Sequence, residues 1–482
     1  MNIRAALSAR RHPVRGVAGD LRAVLAGRDF RHLLATRLVS QFGDGIFTAA
    51  IGTYVFFSQS TFPNPGVAAA AFTVLYLPYS LIGPFAGVFI DRWSRRQILV
   101  WSALLRAAFA VLTAVLVAGG GLGTPLYISV LAVLGVNRFF LSALSAALPH
   151  VVAAEGGELV MANALAPTIG TVCTFLGALA ELGVHLAVSS GHGASAVALL
   201  VAGGCYVAAA TVGATMHRDL LGPPPQPPGA ERAGLGTELM IVVRGLASGA
   251  VRARQRRPVA AALFATAGQR AMYGILLLAS ILLYRNYFYT ASAANSSLGH
   301  FTLVVVAAAI GFGGAAVITP IVTRRLSKAA FITLLLAGAG IVTGALGPTF
   351  AQSAFLVIAL LLGVAAQGVA ICATTVIQQR MDDAYRGRVF ALYDMLFNVP
   401  FVLAAVAVAQ VIPDSGKSSG VVLAAAAGYL LTAAVYGLLT RHELLAGPAA
   451  PAFGYGPGGG VIPGKSLSPE GRPPDSAQRS SS

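Results

Sequence analysis

Apolar residues run along this chain for about twenty positions at a time, and polar ones cluster in the short gaps between. Twelve such runs can be read, at 33–57, 67–90, 98–118, 126–147, 162–188, 194–216, 259–283, 298–322, 329–346, 354–378, 389–412 and 421–439. A helix rises 1.5 Å per residue, so a run of this length crosses the ~30 Å hydrocarbon core of a bilayer. Backbone amides in hydrocarbon must pair within their own segment, and the runs are therefore predicted as transmembrane α-helices. The pattern lapses for longer at residues 217–258 and again after 440. The reading is an all-α membrane protein with twelve transmembrane helices in two six-helix bundles, 33–216 and 259–440. These are flanked by an N-terminal arm at 1–32, a linker at 217–258 and a tail at 441–482.

The linker opens on Pro223-Pro224-Pro225-Gln226-Pro227-Pro228, a stiff extended stretch. Leu235, Leu239, Val242, Leu246 and Val251 then recur at near-helical spacing, with Glu238, Arg244, Arg252 and Arg254 mostly off that face. This predicts an amphipathic helix lying on the membrane surface. An ordinary solvated linker is the alternative. The tail is rich in Gly, Pro and Ser and reads as disordered.

Charge orients the helices. Of 33 Lys and Arg, all but six fall in the termini and in alternate loops on one side. The six are Arg37, Arg106, Arg138 and Arg270 inside the apolar runs, and Arg285 and Lys417 on the other side. The positive-inside rule places both termini in the cytoplasm of a multi-pass plasma-membrane protein. The net charge of +16 has the same origin, and no basic soluble domain is present that would bind nucleic acid. With 56% hydrophobic and 10% charged residues, a soluble chain of 482 residues is excluded. No short apolar core with a cleavage site marks Met1–His32 as a cleaved signal peptide. Cys173, Cys205 and Cys372 all fall in predicted helices, without disulfide or zinc spacing. No phosphate-binding Gly loop, metal cluster or nucleophile elbow is seen, so neither an enzyme nor a cofactor is expected.

The halves echo each other. Asp91-Arg92-Trp93-Ser94-Arg95-Arg96 follows the second run, and Thr323-Arg324-Arg325-Leu326-Ser327-Lys328 stands at the matching place in the second half. Such duplication is typical of secondary transporters, which bind substrate near the midplane between halves.

Gly87-Val88-Phe89-Ile90-Asp91-Arg92-Trp93-Ser94-Arg95-Arg96 resembles the G-x-x-x-D-R-x-[GS]-R-[RK] loop of the major facilitator superfamily, at the position where that superfamily carries it. Phe30-Arg31 through Ser40-Gln41-Phe42-Gly43-Asp44, and Arg386-Gly387-Arg388-Val389-Phe390, resemble its enterobactin-exporter-like branch of drug and siderophore exporters. The resemblance covers about residues 28–440 and implies two bundles that alternate access to a central site. It also implies a conformational latch of Gly87, Asp91, Arg92, Arg95, Arg96 and Arg388. Gly87 permits close helix approach, and Asp91 can face the positive N-terminal end of the eleventh helix near Arg388. Arg92, Arg95 and Arg96 would anchor to lipid phosphates or to acids of the other half. A purely topological anchor is the alternative reading of this loop.

Ionisable groups inside the hydrocarbon are the best site candidates, since each costs ~2.5–3.5 kcal/mol at a helix centre on insertion scales. Arg37, Gln41 and Asp44 recur at i, i+4 and i+7 and form one polar stripe on the first helix. Asp44, Arg138 and Arg270 share a similar depth, and they are expected around one central cavity. An acid beside arginines there suits proton coupling; a structural Asp–Arg pair is the alternative. Leu134-Gly135-Val136-Asn137-Arg138 resembles the start of the fourth-helix motif L-x-x-x-R-x-x-Q-G-x-G implied in proton transfer, but Leu141-Ser142-Ala143-Leu144 replaces its second part. Gly177-Ala178-Leu179-Ala180-Glu181 likewise departs from the G-P-x-x-G-G of antiporters.

Secondary candidates are Arg106, Glu181 with His185 at i, i+4, and Asp394 with Asn398 on one face beside Phe390, Phe397 and Phe401. Glu181 and His185 form a vestibule proton relay, or are solvated or paired at the interface. The function expected is proton-coupled export of a small amphipathic compound by a monomer in contact with membrane lipids. Uptake or facilitated diffusion of a polar solute, and a non-transporting sensor or scaffold, are the alternatives.

Overall fold

The computed structural model describes residues 27–57, 64–81, 85, 94–121, 123–155, 159–188, 191–216, 235–289 and 294–442. Gly87, Asp91 and Arg92 of the loop motif, the proline-rich start of the linker and the tail after 442 lie outside the described residues, and so does the N-terminal arm before residue 27.

Thirteen long helices account for nearly everything described, with no strand among these residues. In the first half these are α1 (Arg28–Phe57), α2 (Pro65–Leu81), α3 (Arg95–Ala118), α4 (Thr124–Glu155), α5 (Leu159–Ala187) and α6 (Gly191–Ala214). The linker supplies α7 (Leu235–Gln255). The second half contributes α8 (Arg257–Leu282), α9 (Ala294–Val322), α10 (Lys328–Leu346), α11 (Gln352–Arg380), α12 (Asp383–Val408) and α13 (Ser419–Leu439). Among the described residues, nine helices are long and apolar enough to cross a membrane. α1 is also long, but it carries Arg31, Arg37 and Asp44 along its length.

Several helices outrun the apolar runs that announce them. α1 begins five residues before residue 33, and α4 continues past 147 to Glu155. Hydropathy marks where a helix lies in hydrocarbon, whereas backbone hydrogen bonding carries the helix on into the headgroup region. Ser327 and Ser418 set two of the starts, each accepting a hydrogen bond from the backbone N–H three residues on, at 3.1 Å and 3.3 Å.

Helices of one half approach closely where side chains are missing. A Cβ on Gly45 of α1 would stand 1.9 Å from the Thr174 carbonyl oxygen of α5, and one on Gly177 would stand 2.0 Å from that of Phe42. The two backbones therefore touch, with no driving force needed beyond packing.

The linker helix exists, and its contacts run to the second half. Its small residues face α12: a Cβ on Gly249 would lie 2.9 Å from Cβ of Arg388. Arg388 Nη1 donates to Ser248 Oγ at 3.1 Å. Arg252 and Arg256 donate to Asp382, which precedes α12, at 2.7 Å and 3.0 Å. Met240, Ile241, Val243 and Val251 are exposed, whereas Leu239, Val242 and Leu246 of the expected apolar face are half-buried.

The two ends of the molecule are packed differently. At the arginine-poor face, one buried core runs through both halves, from Phe56, Phe57 and Phe72 to Leu282, Tyr284, Phe301 and Phe401. At the arginine-rich face the cores are separate. One, around Phe30, Leu33, Leu99 and Phe140, belongs to the first half; another, around Val259, Ala373, Val389 and Tyr393, belongs to the second half and α7. Among the described residues, the cleft between the halves is thus closed by a shared core at the arginine-poor end, while the cores at the arginine-rich end stay separate.

Candidate functional site

The polar stripe of α1 divides between two neighbours. Arg37 Nε donates to Gln41 Oε1 at 2.9 Å, one turn on. This pair packs against α5, where a Cβ on Gly170 would collide with the Gln41 side chain. Ser40 and Asp44, also one turn apart, turn instead to Arg106 of α3.

Arg106 is fully buried and gathers the first bundle around itself. Its Nη1 donates to Asp44 Oδ1 at 2.9 Å and to Asn137 Oδ1 of α4 at 2.8 Å, and its Nη2 donates to Ser40 Oγ at 2.7 Å. The ring centroids of Phe140 and Tyr206 each lie 4.3 Å from the guanidinium carbon. Four helices meet at this one cation. Burial of a guanidinium is tolerable only with a paired charge and hydrogen bonds, and here both Nη groups have acceptors while Nε has none among the described residues. Asp44 is the wetter partner, its side chain 12% exposed against 0% for Arg106. Arg106 stands out only weakly in the sequence, because nothing local in α3 reveals a partner 62 residues away.

The other mid-depth charges do not join this cluster. Arg138 follows Asn137 on α4, about 100° further round the helix, and lies within electrostatic reach of Asp394 on α12 in the opposite half. Asp394 is exposed, while Asn398 one turn later is buried and donates to the Asp394 carbonyl at 3.3 Å. Asp44 and Arg138 are therefore in two separate arrangements: a pair inside the first bundle, and a meeting of charges across the cleft.

Arg270 of α8 forms a third. Its Nε donates to the Phe397 carbonyl of α12 at 2.7 Å. The rings of Phe397, Phe401 and Tyr273 surround the guanidinium carbon at 4.1, 4.9 and 5.3 Å. Phe401 in turn packs on Phe72 and Tyr76 of α2 at 5.3 Å and 4.7 Å between centroids. With Phe57 against Phe301 at 5.1 Å, these rings close the arginine-poor end of the cleft.

Glu181 is not solvated. It is 3% exposed, between α5 and α1, and accepts from Thr53 Oγ1 at 3.3 Å. His185, one turn on, is half-buried. Of the latch residues, Arg96 donates to the Ala214 carbonyl at the end of α6, tying that C-terminus to the start of α3. Arg95 is buried beside it. Arg388 engages α7, as described above. The start of α12 already has Asp382 beside it, and Arg252 and then Arg256 hold that carboxyl below the ordinary carboxylate range. Among the described residues, no cluster of His, Cys, Asp and Glu is arranged to hold a metal ion.

The sequence matches the profile of the Major Facilitator Superfamily over residues 33–405. A protein named as an uncharacterized MFS-type transporter of Mycobacterium tuberculosis is 38% identical over 427 residues, which span 87% of this chain and 93% of the relative. Its counterpart in Mycobacterium bovis matches to the same extent. Among solved structures, the nucleoside transporter NupG superposes with a TM-score of 0.58 at 13% identity, over 86% of this chain and 98% of its own. The POT family transporter PepTSo superposes with a TM-score of 0.60, also at 13% identity, over the same shares. At such identities the likeness to the solved structures is one of fold.

Proposed function

The chain belongs to the major facilitator superfamily and is a membrane transporter rather than an enzyme, and from that membership we propose that it exports a small amphipathic compound in exchange for protons. The observation that carries the proton coupling is the Asp44–Arg106 pair. A proton reaching Asp44 from the cleft neutralises the counter-charge of a sealed arginine. An unpaired buried guanidinium costs several kcal/mol, so protonation biases the bundle toward a second arrangement. Asp44 is thus the coupling acid, Arg106 its switchable partner, and Arg37 with Gln41 the neighbouring pair that fixes the polar face of α1.

The direction of transport rests on the exporter-like stretches around Asp44 and Arg388. Support for an amphipathic cargo comes from the rings of Phe390, Phe397 and Phe401 beside the polar groups of the cleft. In this reading the arginine-rich face is cytoplasmic, both termini are inside the plasma membrane, and the protein works as a monomer. Gly87, Asp91 and Arg92 act with Arg95 and Arg96 as the latch of the first half. Arg138 and Asp394 lend charge to the cleft from its two sides.

The test is transport in proteoliposomes. Vesicles loaded with the pH dye pyranine, given a pH gradient and a panel of labelled drugs and siderophores, should show cargo movement coupled to proton movement and abolished by a protonophore. Asp44→Asn should keep the protein folded and stop both. Gradient-driven movement at wild-type rate in that variant would remove Asp44 from the mechanism. Cargo movement indifferent to the protonophore would favour facilitated diffusion.

A further inference from the structure

Several arginines of this fold meet acids. Arg106 has Asp44, Arg252 and Arg256 share Asp382, and Arg138 has Asp394 within electrostatic reach. Arg270 has no acid beside it among the described residues. It is 7% exposed, and its single hydrogen bond runs from Nε to a backbone carbonyl. Among the described residues neither Nη group has a hydrogen-bond acceptor, and the residue keeps a small exposed edge.

The surroundings explain which ligand this suits. Three rings cover the guanidinium at cation–π distance. Rings can shield the faces of the planar cation, but they cannot accept the in-plane hydrogens of its outer edge. That edge has the fork geometry that binds a carboxylate or another oxyanion through two parallel hydrogen bonds. Such an edge favours an anionic partner over a neutral one. It lies about 20 Å along α8, at the closed end of the cleft.

We propose that Arg270 clamps the negatively charged group of the cargo, which is an organic oxyanion with an apolar or aromatic body seated against Tyr273, Phe397 and Phe401. This deepens the transport reading and rests on it. It also links cargo to gate. Phe401 is a wall of the clamp and at the same time the ring on which Tyr76 and Phe72 close the arginine-poor end. An anion that draws Arg270 toward itself therefore acts directly on the closure.

The experiment uses the full-length protein purified in an uncharged detergent. Thermal unfolding is followed with benzoate, 2-naphthoate and 4-biphenylcarboxylate, with their neutral carboxamides, and with phosphatidylglycerol as the lipid source of an oxyanion. The carboxylates are expected to raise the unfolding temperature with saturation, and the amides to need at least about tenfold higher concentration for the same rise. Arg270→Gln should erase that difference. Arg270→Lys keeps the charge without the fork and should bind in between, which also covers the case of a glutamine variant that does not fold. Carboxylates acting no better than amides on the wild type would overturn the clamp. So would undiminished carboxylate preference in either variant, or protection by phosphatidylglycerol alone. The transport reading fails by a separate signal: Arg270-dependent carboxylate binding with no gradient-driven movement in vesicles would leave the anion clamp standing and remove the proton coupling.

Discussion

Replacing Arg106 with methionine removes the cation at which four helices meet. The variant keeps the bulk of the side chain and loses three donated hydrogen bonds, to Asp44, Asn137 and Ser40. Removing one partner of a buried pair costs about 3–5 kcal/mol, mainly because the other charge stays unpaired. Asn137 and Ser40 add to this, while the 12% exposure of Asp44 lets water recover part of it, so about 3–5 kcal/mol is the expected net loss. Replacing both partners, Asp44→Leu with Arg106→Met, leaves no orphan charge and should recover at least about 2 kcal/mol of that loss. The assay is denaturant unfolding of the wild type, the two single variants and the double variant in one detergent. Losses that simply add would refute the pairing as an energetic unit. The double variant also separates two roles of the pair, since it should be stable and yet incapable of proton-driven transport. If it still transports, the pair is architecture and not machinery.

Three further outcomes follow from the geometry. Gly45→Leu puts side-chain atoms where α5 has backbone, and it should abolish monodisperse expression as read by size-exclusion chromatography, whereas Gly183→Leu, with open space around it, should not. Phe401→Ala removes the ring shared by Phe72, Tyr76 and Arg270, and it should raise the labelling rate of a cysteine placed at Tyr273 by a membrane-impermeant thiol reagent from the arginine-poor side; an unchanged rate would show that the closure lies elsewhere. The Asp382 carboxyl is held below its ordinary value by Arg252 and Arg256, so its contribution is fully present above about pH 4 and is lost as pH falls through its lowered folded value. Spin-label distances between α7 and α12 should therefore be constant from about pH 5 to 8 and lengthen only under stronger acid, and Asp382→Asn should lengthen them at every pH.

Much of the architecture is legible in the sequence because the bilayer simplifies the problem. Hydrocarbon forces each run into a helix, and arginine placement sets the two faces. The site is only partly legible, for a physical reason. Spacing along one helix shows which residues share a face; it pairs Arg37 with Gln41 and groups Asp44 with them. It cannot show which neighbouring helix that face meets. Asp44 finds Arg106 on α3, and Asn137 rather than Arg138 completes the cluster, because a step of one residue on α4 turns the side chain from the bundle interior to the cleft. Tyr206, Phe72, Tyr76 and Tyr273 carry no signal beyond being aromatic in apolar runs. Glu181 reads as either solvated or paired near the outer end, and its burial against Thr53 rules out only the solvated form.

The aromatic closure has an electrical consequence. A wet cleft conducts ions and sits at the potential of the solution it opens to, so the voltage across the membrane falls mainly over the dry layer made by Phe57, Phe72, Phe301 and Phe401. Charges below that layer, Asp394 and Arg138 among them, feel one solution until the halves rock and then feel the other. Each elementary charge carried across is worth about 2.3 kcal/mol per 100 mV. In the proposed exchange, a monoanion leaving as one proton enters moves two such charges in the same electrical sense, about 4.6 kcal/mol per 100 mV. With an interior-negative potential, this thin layer of rings lets each 100 mV of membrane voltage drive the cycle as strongly as a concentration gradient of roughly a thousandfold.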